Sequence, residues 1–416
     1  MLHELFTQAL GLVSPWRVND VDFNPTEGAI HFRLHYDGKR GACPVCGAPD
    51  QPIHDRLERT WQHLSFFQYR AFLHADVPRI ACQCGKTTQI EVPWANPRSG
   101  FTLLFEAYAL TLAQRLPVAE VARMLGVRPQ RLWERLIEQV FKAYDAESFS
   151  DVREVTVDET AMRRGHQYVT VLADAKARRV IFATEGKDQL TLSDFASELL
   201  GHGATPGQIE HIAMDFSGAF IAGAQKYLPN ASISFDPFHL VALASDAVDQ
   251  VRRAEVKHEP MLRKQRYSVL KDEANLTTKQ AEFIAQFSRS HLQTARAWRL
   301  KEAVRDIVRA KADTATTRAD LLGIVSWAQR SRLAPLVTFG RTLKKHLDGV
   351  VRAIADRRSN AFAEGLNSLI QAAKQRARGF KTATHLIAVI YLIAARLKHL
   401  PPNPMRTTGA VTPGFA

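Results

Sequence analysis

Three carboxylates far apart in the chain carry the chemistry it could perform: Asp158 in TVDET, Asp215 in IAMDFSG and Glu364 in NAFAEGLN. The first two each close an apolar run that reads as a buried strand, 152–157 and 209–214, and the third lies in a helical pattern far downstream. An aspartate directly after a buried strand points off the sheet edge. Gathered from distant segments, such carboxylates suit hard divalent cations, which favour oxygen ligands and hold the attacking and leaving oxygens of a phosphate in line. The chemistry implied is phosphodiester cleavage or transfer, with two magnesium or manganese ions on Asp158, Asp215 and Glu364.

Asp236 and His239 in SFDPFHL follow the last strand-like run and are candidate accessory residues. Asp236 is the rival to Asp215 for the second ligand position. Asp215 is preferred because its strand should neighbour that of Asp158. Arg163, Arg164 and His166 in RRGH could reach a scissile strand, although a solvated hairpin turn explains them equally well. Lys374, Arg376 and Arg378 in KQRARGFK lie close after Glu364, where they suit phosphate contacts.

The elements that must position these residues come in order. After 148–151 the apolar runs 152–157, 168–173, 180–183, 209–214 and 232–235 alternate late with helical patterns at 190–200 and 218–227. The order β-β-β-α-β-α-β begins as a meander and ends in crossovers, which predicts a mixed sheet flanked by helices. From 240 to about 352 the chain reads as helical and basic. The tail from 401 lacks periodicity and reads as disordered.

All four cysteines fall in one early segment, Cys43 and Cys46 in CPVCG and Cys82 and Cys84 in CQCG. In a chain without a secretory leader this favours one structural tetrahedral zinc over disulfides. The single residue between Cys82 and Cys84 is tighter than usual, so His54, His63 and His74 are the alternatives for one position. The stretch VPWANPRSG reads as a linker, since proline bars helix there. Beyond it, LPVAEVARMLGVRPQRLWERL fits a helix-turn-helix. Val121, Ala122 and Leu125 face inward, Gly126 makes the turn, and Pro129 opens a second helix that presents Arg128, Gln130, Arg131, Glu134 and Arg135.

A chain of 416 residues with 46% hydrophobic and 23% charged residues is long enough for several folded domains, and no apolar run reaches the length of a membrane span. Its 55 Lys and Arg against 42 Asp and Glu leave a net charge of +13, which attracts a polyanion. A cytoplasmic location is expected, with no membrane partner.

In sequence order, CPVCG with CQCG, VPWA, the helix-turn-helix, VDET with RRGHQYVTVLAD, MDFSGAF, PNASISFDPFH and SNAFAEGLNSLIQAAKQRARGF resemble the ISL3 family of bacterial insertion-sequence transposases. The resemblance implies a DDE enzyme with an RNase H-like core, and it carries the acidic triad onto Asp158, Asp215 and Glu364 and an aspartate-x-x-histidine signature onto Asp236 and His239. The expected organisation is a zinc-binding domain at 1–95, a helix-turn-helix domain at 100–147, an RNase H-like core at 150–240 and 356–400, and a helical insertion at 241–355. Trp298 and Trp327 in that insertion invite stacking on an unpaired base, with core packing favoured for each. The implied activity is binding to the terminal inverted repeats of an element, followed by cleavage and joining to target DNA by a homodimer or larger assembly. A DNA-binding regulator descended from such an enzyme, and a nuclease without joining activity, are the alternatives.

Overall fold

The computed structural model describes residues 1–162, 167–310, 312–356 and 361–405, the side chains of Ala361, Ala363 and Glu364 excepted. The chain divides into two compact units, Met1–Tyr144 with the segment from Leu397 onward, and Asp145–Arg396.

The first unit opens with helix α1 (Leu2–Ala9) and a sheet of β1 (Trp16–Asn24), β2 (Ala29–Tyr36), β3 (Arg40–Gly41), β4 (Gln51–Phe66), β5 (Tyr69–Ala81) and β6 (Thr87–Gln89). The order is β1-β2-β5-β4-β3 with β6 on β5, and β2 runs parallel to β5 while the other pairs are antiparallel. Trp16, Trp61 and Trp94 meet edge to face in its core, with Trp94 bridging the other two. This corrects one expectation. The VPWANPRSG stretch forms no helix or strand, as its prolines require, yet it is no loose linker: Trp94 is 1% exposed, and Asn96 and Ser99 both donate hydrogen bonds to the buried Glu106. A large apolar ring within the stretch draws it into the core. Three helices follow, α2 (Leu103–Ala113), α3 (Val118–Met124) and α4 (Pro129–Asp145), in the same compact unit as the sheet.

The second unit is built on a five-stranded sheet. Its strands are β7 (Glu154–Ala161), β8 (Tyr168–Asp174), β9 (Arg179–Glu185), β10 (His211–Met214) and β11 (Ser232–Phe235), in the order β11-β10-β7-β8-β9. The meander β7-β8-β9 is antiparallel, whereas β10 and β11 lie parallel to β7 because α5 (Leu190–Gly201) and α6 (Gly218–Tyr227) carry the chain back across the sheet. This is the mixed, helix-flanked sheet expected of an RNase H-like core.

From β11 the chain becomes helical: α7 (Pro237–Glu255), α8 (Arg266–Leu270), α9 (Thr278–Phe287), α10 (Gln293–Ala310), α11 (Thr314–Arg330), α12 (Ala334–Lys345) and α13 (Leu347–Ala355). The last of these returns to the edge strand. Arg352 donates to the Ile233 carbonyl, and Gly349 approaches so closely that a Cβ there would lie 2.6 Å from the Phe235 ring. Two more helices, α14 (Ala361–Arg376) and α15 (Ala383–Ala394), complete the unit, and the Tyr391 hydroxyl accepts from the Ala183 amide on β9. Among the described residues no helix is long and apolar enough to cross a membrane.

Candidate active site

The site begins with register. In the parallel pairs Ala213 lies opposite Thr156 and Met214 opposite Phe235. Continuing the first pairing by two residues sets Asp215 beside Asp158, and continuing the second by one sets Asp236 beside Asp215. The Asp236 amide does donate to the Met214 carbonyl, at 3.1 Å, as that continuation requires. Three aspartates on three adjacent parallel strands therefore share one level, at the carboxyl ends of β10 and β11. One detail differs from expectation: Asp158 does not end its strand. β7 runs on to Ala161 because β8 keeps pairing with it, Asp158 opposite Val171, after β10 has stopped. Asp158 is thus at the point where β7 loses one neighbour, which opens one side of it to a ligand.

Helix α14 lies along this projecting part of β7. Asn367 donates to Asp158 Oδ2, Gln371 donates to Thr160 Oγ1 at 2.9 Å, and Lys374 donates to the Ala161 carbonyl. The spacing of these three residues puts them on one helix face. Glu364 precedes Asn367 by three positions, one turn nearer the helix N-terminus; its side chain lies outside the described residues.

Burial pushes the Asp158 carboxyl above the ordinary carboxylate range, and the Asp215 charge acts in the same direction. The Glu159 amide, at 2.7 Å from Oδ1, Asn367 and His239 pull the other way. Glu159 is raised as well, again chiefly by burial, with Lys187 opposing from 4.0 Å and both Asp215 and Asp158 adding to the rise. Among the described residues neither Asp158 nor Asp215 has an ion-pair partner. Asp215 accepts from the Ser217 amide at 2.9 Å, at the start of α6. Two half-buried carboxylates with no ion-pair partner among the described residues offer an all-oxygen donor set that fits a hard divalent cation.

Asp236 is buried and caps α7, accepting from the Phe238 amide at 2.9 Å, while His239 Nε2 lies 3.8 Å from its other oxygen. Arg163, Arg164 and His166 fall outside the described residues. Lys374 is held by its contacts to Ala161 and Gln371, Arg376 and Arg378 are exposed, and Arg378 has a left-handed backbone with φ of 56°. Sequence reading missed the contact of Asn367 with Asp158 and the place of Glu159 beside the carboxylates. The spacing of Asn367, Gln371 and Lys374 was the available signal for the first. Trp298 is 7% exposed and packs edge to face on Phe287, so it is a core residue, whereas Trp327 is 38% exposed.

In the first unit the cysteine sulfurs all lie within 4.8 Å of one another. Each pair sits on a tight turn, with the Gly47 amide bonded to the Cys43 carbonyl and the Gly85 amide to the Cys82 carbonyl. The amides of Cys46 and Val45 draw the Cys43 thiol down to about 7. The Cys84 amide also favours a Cys82 thiolate, but burial and the three neighbouring thiols outweigh it and raise Cys82. Four crowded sulfurs suit one tetrahedral zinc, and the short Cys82–Cys84 spacing does not prevent it. The histidine alternatives are engaged elsewhere: His54 with Asp55, His63 with Thr102, and His74 with His31 and Thr60.

The helix-turn-helix forms, with Leu125 half-buried rather than in the core. Val121 and Ala122 are fully buried, and Gly126 turns the chain with φ of 65°, a conformation that side chains resist. Arg128, just before α4, and Gln130, Arg131 and Glu134 on it are exposed, and Arg131 also covers the Phe101 ring at 4.9 Å. Arg135 is turned partly inward, paired with Glu138 at 2.6 Å.

Comparison with known proteins agrees with this geometry. Residues 155–390 match a family model described as a transposase of the ISL3 type, 90–140 match the helix-turn-helix domain of transposase family ISL3, and 39–84 match the zinc-finger of transposases IS204, IS1001, IS1096 and IS1165. The chain is 27% identical, over 97% of both chains, to the transposase for insertion sequence element IS1557 of Mycobacterium tuberculosis. It is 25% identical to the transposase for insertion sequence element IS1001 of Bordetella parapertussis, over 92% of this chain and 96% of that one. With the transposase model covering more than half of its length, the chain belongs to the ISL3 family of DDE transposases, a class of metal-dependent nucleases and transesterases.

Proposed function

We propose that this transposase binds the terminal inverted repeats of its own element, cuts at the element ends and joins the freed 3′-hydroxyls to target DNA, with Asp158, Asp215 and Glu364 holding the metals. The observation that carries this reading is the shared level of Asp158 and Asp215 on neighbouring strands, with the helix of Glu364 fastened to Asp158 through Asn367. When bound, a pair of magnesium or manganese ions supplies Lewis acidity and an activated water or 3′-hydroxyl. The protein's part is positioning. The Glu159 amide and Asn367 fix the two oxygens of Asp158, the Ser217 amide fixes Asp215, and His239 stands beside Asp236.

DNA recognition falls to Arg128, Gln130 and Arg131 at the start of α4, with Arg135 in a supporting place. Arg163, Arg164, His166, Arg376 and Arg378 are the proposed backbone contacts near the chemistry, together with Lys374. Joining two ends requires two active sites, so a homodimer or larger assembly on DNA is part of the proposal. The test is incubation of the purified protein with a labelled duplex carrying the inverted repeat that flanks its gene, in magnesium or manganese, beside Glu364→Gln. Cleavage and joining by the parent alone support the enzyme; specific binding without cleavage by either supports the regulator instead.

A further inference from the structure

Phe238 is 63% exposed although it sits between two residues of the site, two positions after Asp236 and one before His239. The apolar residues that helix α7 buries, Leu240, Ala244, Ala247, Val248 and Val251, form a stripe of helical period, and the buried Asp249 on its other side is ion-paired with Arg252 and Arg253. At about 100° per residue, Phe238 stands roughly 200° from Leu240, on the side away from that stripe. Core packing therefore does not account for this ring. It is nonetheless held in place, because its own amide bonds to the Asp236 carboxylate at 2.9 Å and its ring meets His239 edge to face at 5.7 Å.

A phosphate that reaches the aspartates must enter among side chains that are half-buried or, for Asp236, 7% exposed. A stacked duplex is stiff, so bending its backbone into a half-buried site costs less once the adjoining base leaves the stack. An exposed apolar ring beside Asp236 and His239 offers that base a new stacking face. Trp298 cannot serve in this way because it is buried.

We infer that Phe238 is a positioning residue that stacks on an unpaired DNA base next to the scissile phosphate. The inference rests on the proposed cleavage at element ends but is tested apart from it. A duplex with the inverted repeat carries 2-aminopurine at the nucleotide flanking the cut, and full-length zinc-loaded protein is added in calcium, so that binding is read without cleavage. Parent and Phe238→Tyr should raise the fluorescence several-fold, while Phe238→Ala, confirmed bound by anisotropy, should lose most of that rise. An equal rise with Phe238→Ala, or no rise with the parent, overturns the inference. Failure of the parent to cut in magnesium would instead overturn the catalytic reading, since the fluorescence rise does not depend on it.

Discussion

Asp158 shows how much rests on single contacts. Its oxygens are assigned separately, one to the Glu159 amide next to it and one to Asn367 on a helix from the far end of the unit. The side chain of Asn367 thus orients a proposed metal ligand and ties α14 to β7. Groups that orient a ligand cost about 10- to 100-fold in metal affinity or activity when removed. Asn367→Ala should lower end cleavage by that order and shift its magnesium dependence to higher concentration, with little change in thermal stability. An unchanged metal titration would show that Asn367 is not a support for the ligand. The acidic residues were legible because each follows an apolar run or sits among basic and amide residues. Asn367 was not legible as a partner of Asp158, since its spacing with Gln371 and Lys374 marks a helix face but not the strand, 209 residues earlier, that the face meets.

Elements were legible where period and punctuation agreed. Helix α6 and strand β11 fall where the apolar runs put them, because glycine and proline mark their ends. Strand β7 extends further than its apolar run because pairing with β8 holds the polar residues that follow, which is a tertiary effect. The same holds between VPWANPRSG and α2. His63 on β4 bonds to Thr102, whose side chain caps α2, and Gln62 reaches the Leu125 carbonyl at the helix-turn-helix turn. Burial holds His63 neutral, with its pKa down to about 4. In the unfolded chain it takes up a proton near the usual value of about 6.5. Between these limits the unfolded state binds more protons, so the stability involved is complete above about pH 6.5 and lost as pH falls toward 4, on the order of 3 kcal/mol. Denaturant unfolding of the zinc-loaded protein should show the parent weakening from pH 7 to pH 5 more steeply than His63→Gln; parallel slopes would assign the pH dependence to other groups.

At the scale of the molecule, the residues proposed for recognition and those proposed for chemistry occupy different compact units. The zinc site and the helix-turn-helix lie within Met1–Tyr144, and the aspartate row with α14 lies within Asp145–Arg396. A net charge of +13 supplies general attraction for DNA, and the exposed residues of α4 are the proposed source of its selectivity. Affinity for the inverted repeat should fall linearly on a logarithmic salt scale, and Arg128→Ala with Arg131→Ala should make that slope shallower. A slope unchanged by the double substitution would place the phosphate contacts elsewhere.

Asp215, beside Asp158, is the proposed ligand to a catalytic cation, with Asp236 next to it in the row. The most direct measurement is end cleavage by Asp215→Cys in magnesium and in manganese, beside Asp236→Cys, because a sulfur ligand tolerates the softer ion better. The prediction is that Asp215→Cys binds the inverted repeat, is inactive in magnesium and recovers cleavage in manganese. Full activity of Asp215→Cys in magnesium, or recovery in manganese by Asp236→Cys alone, would contradict it.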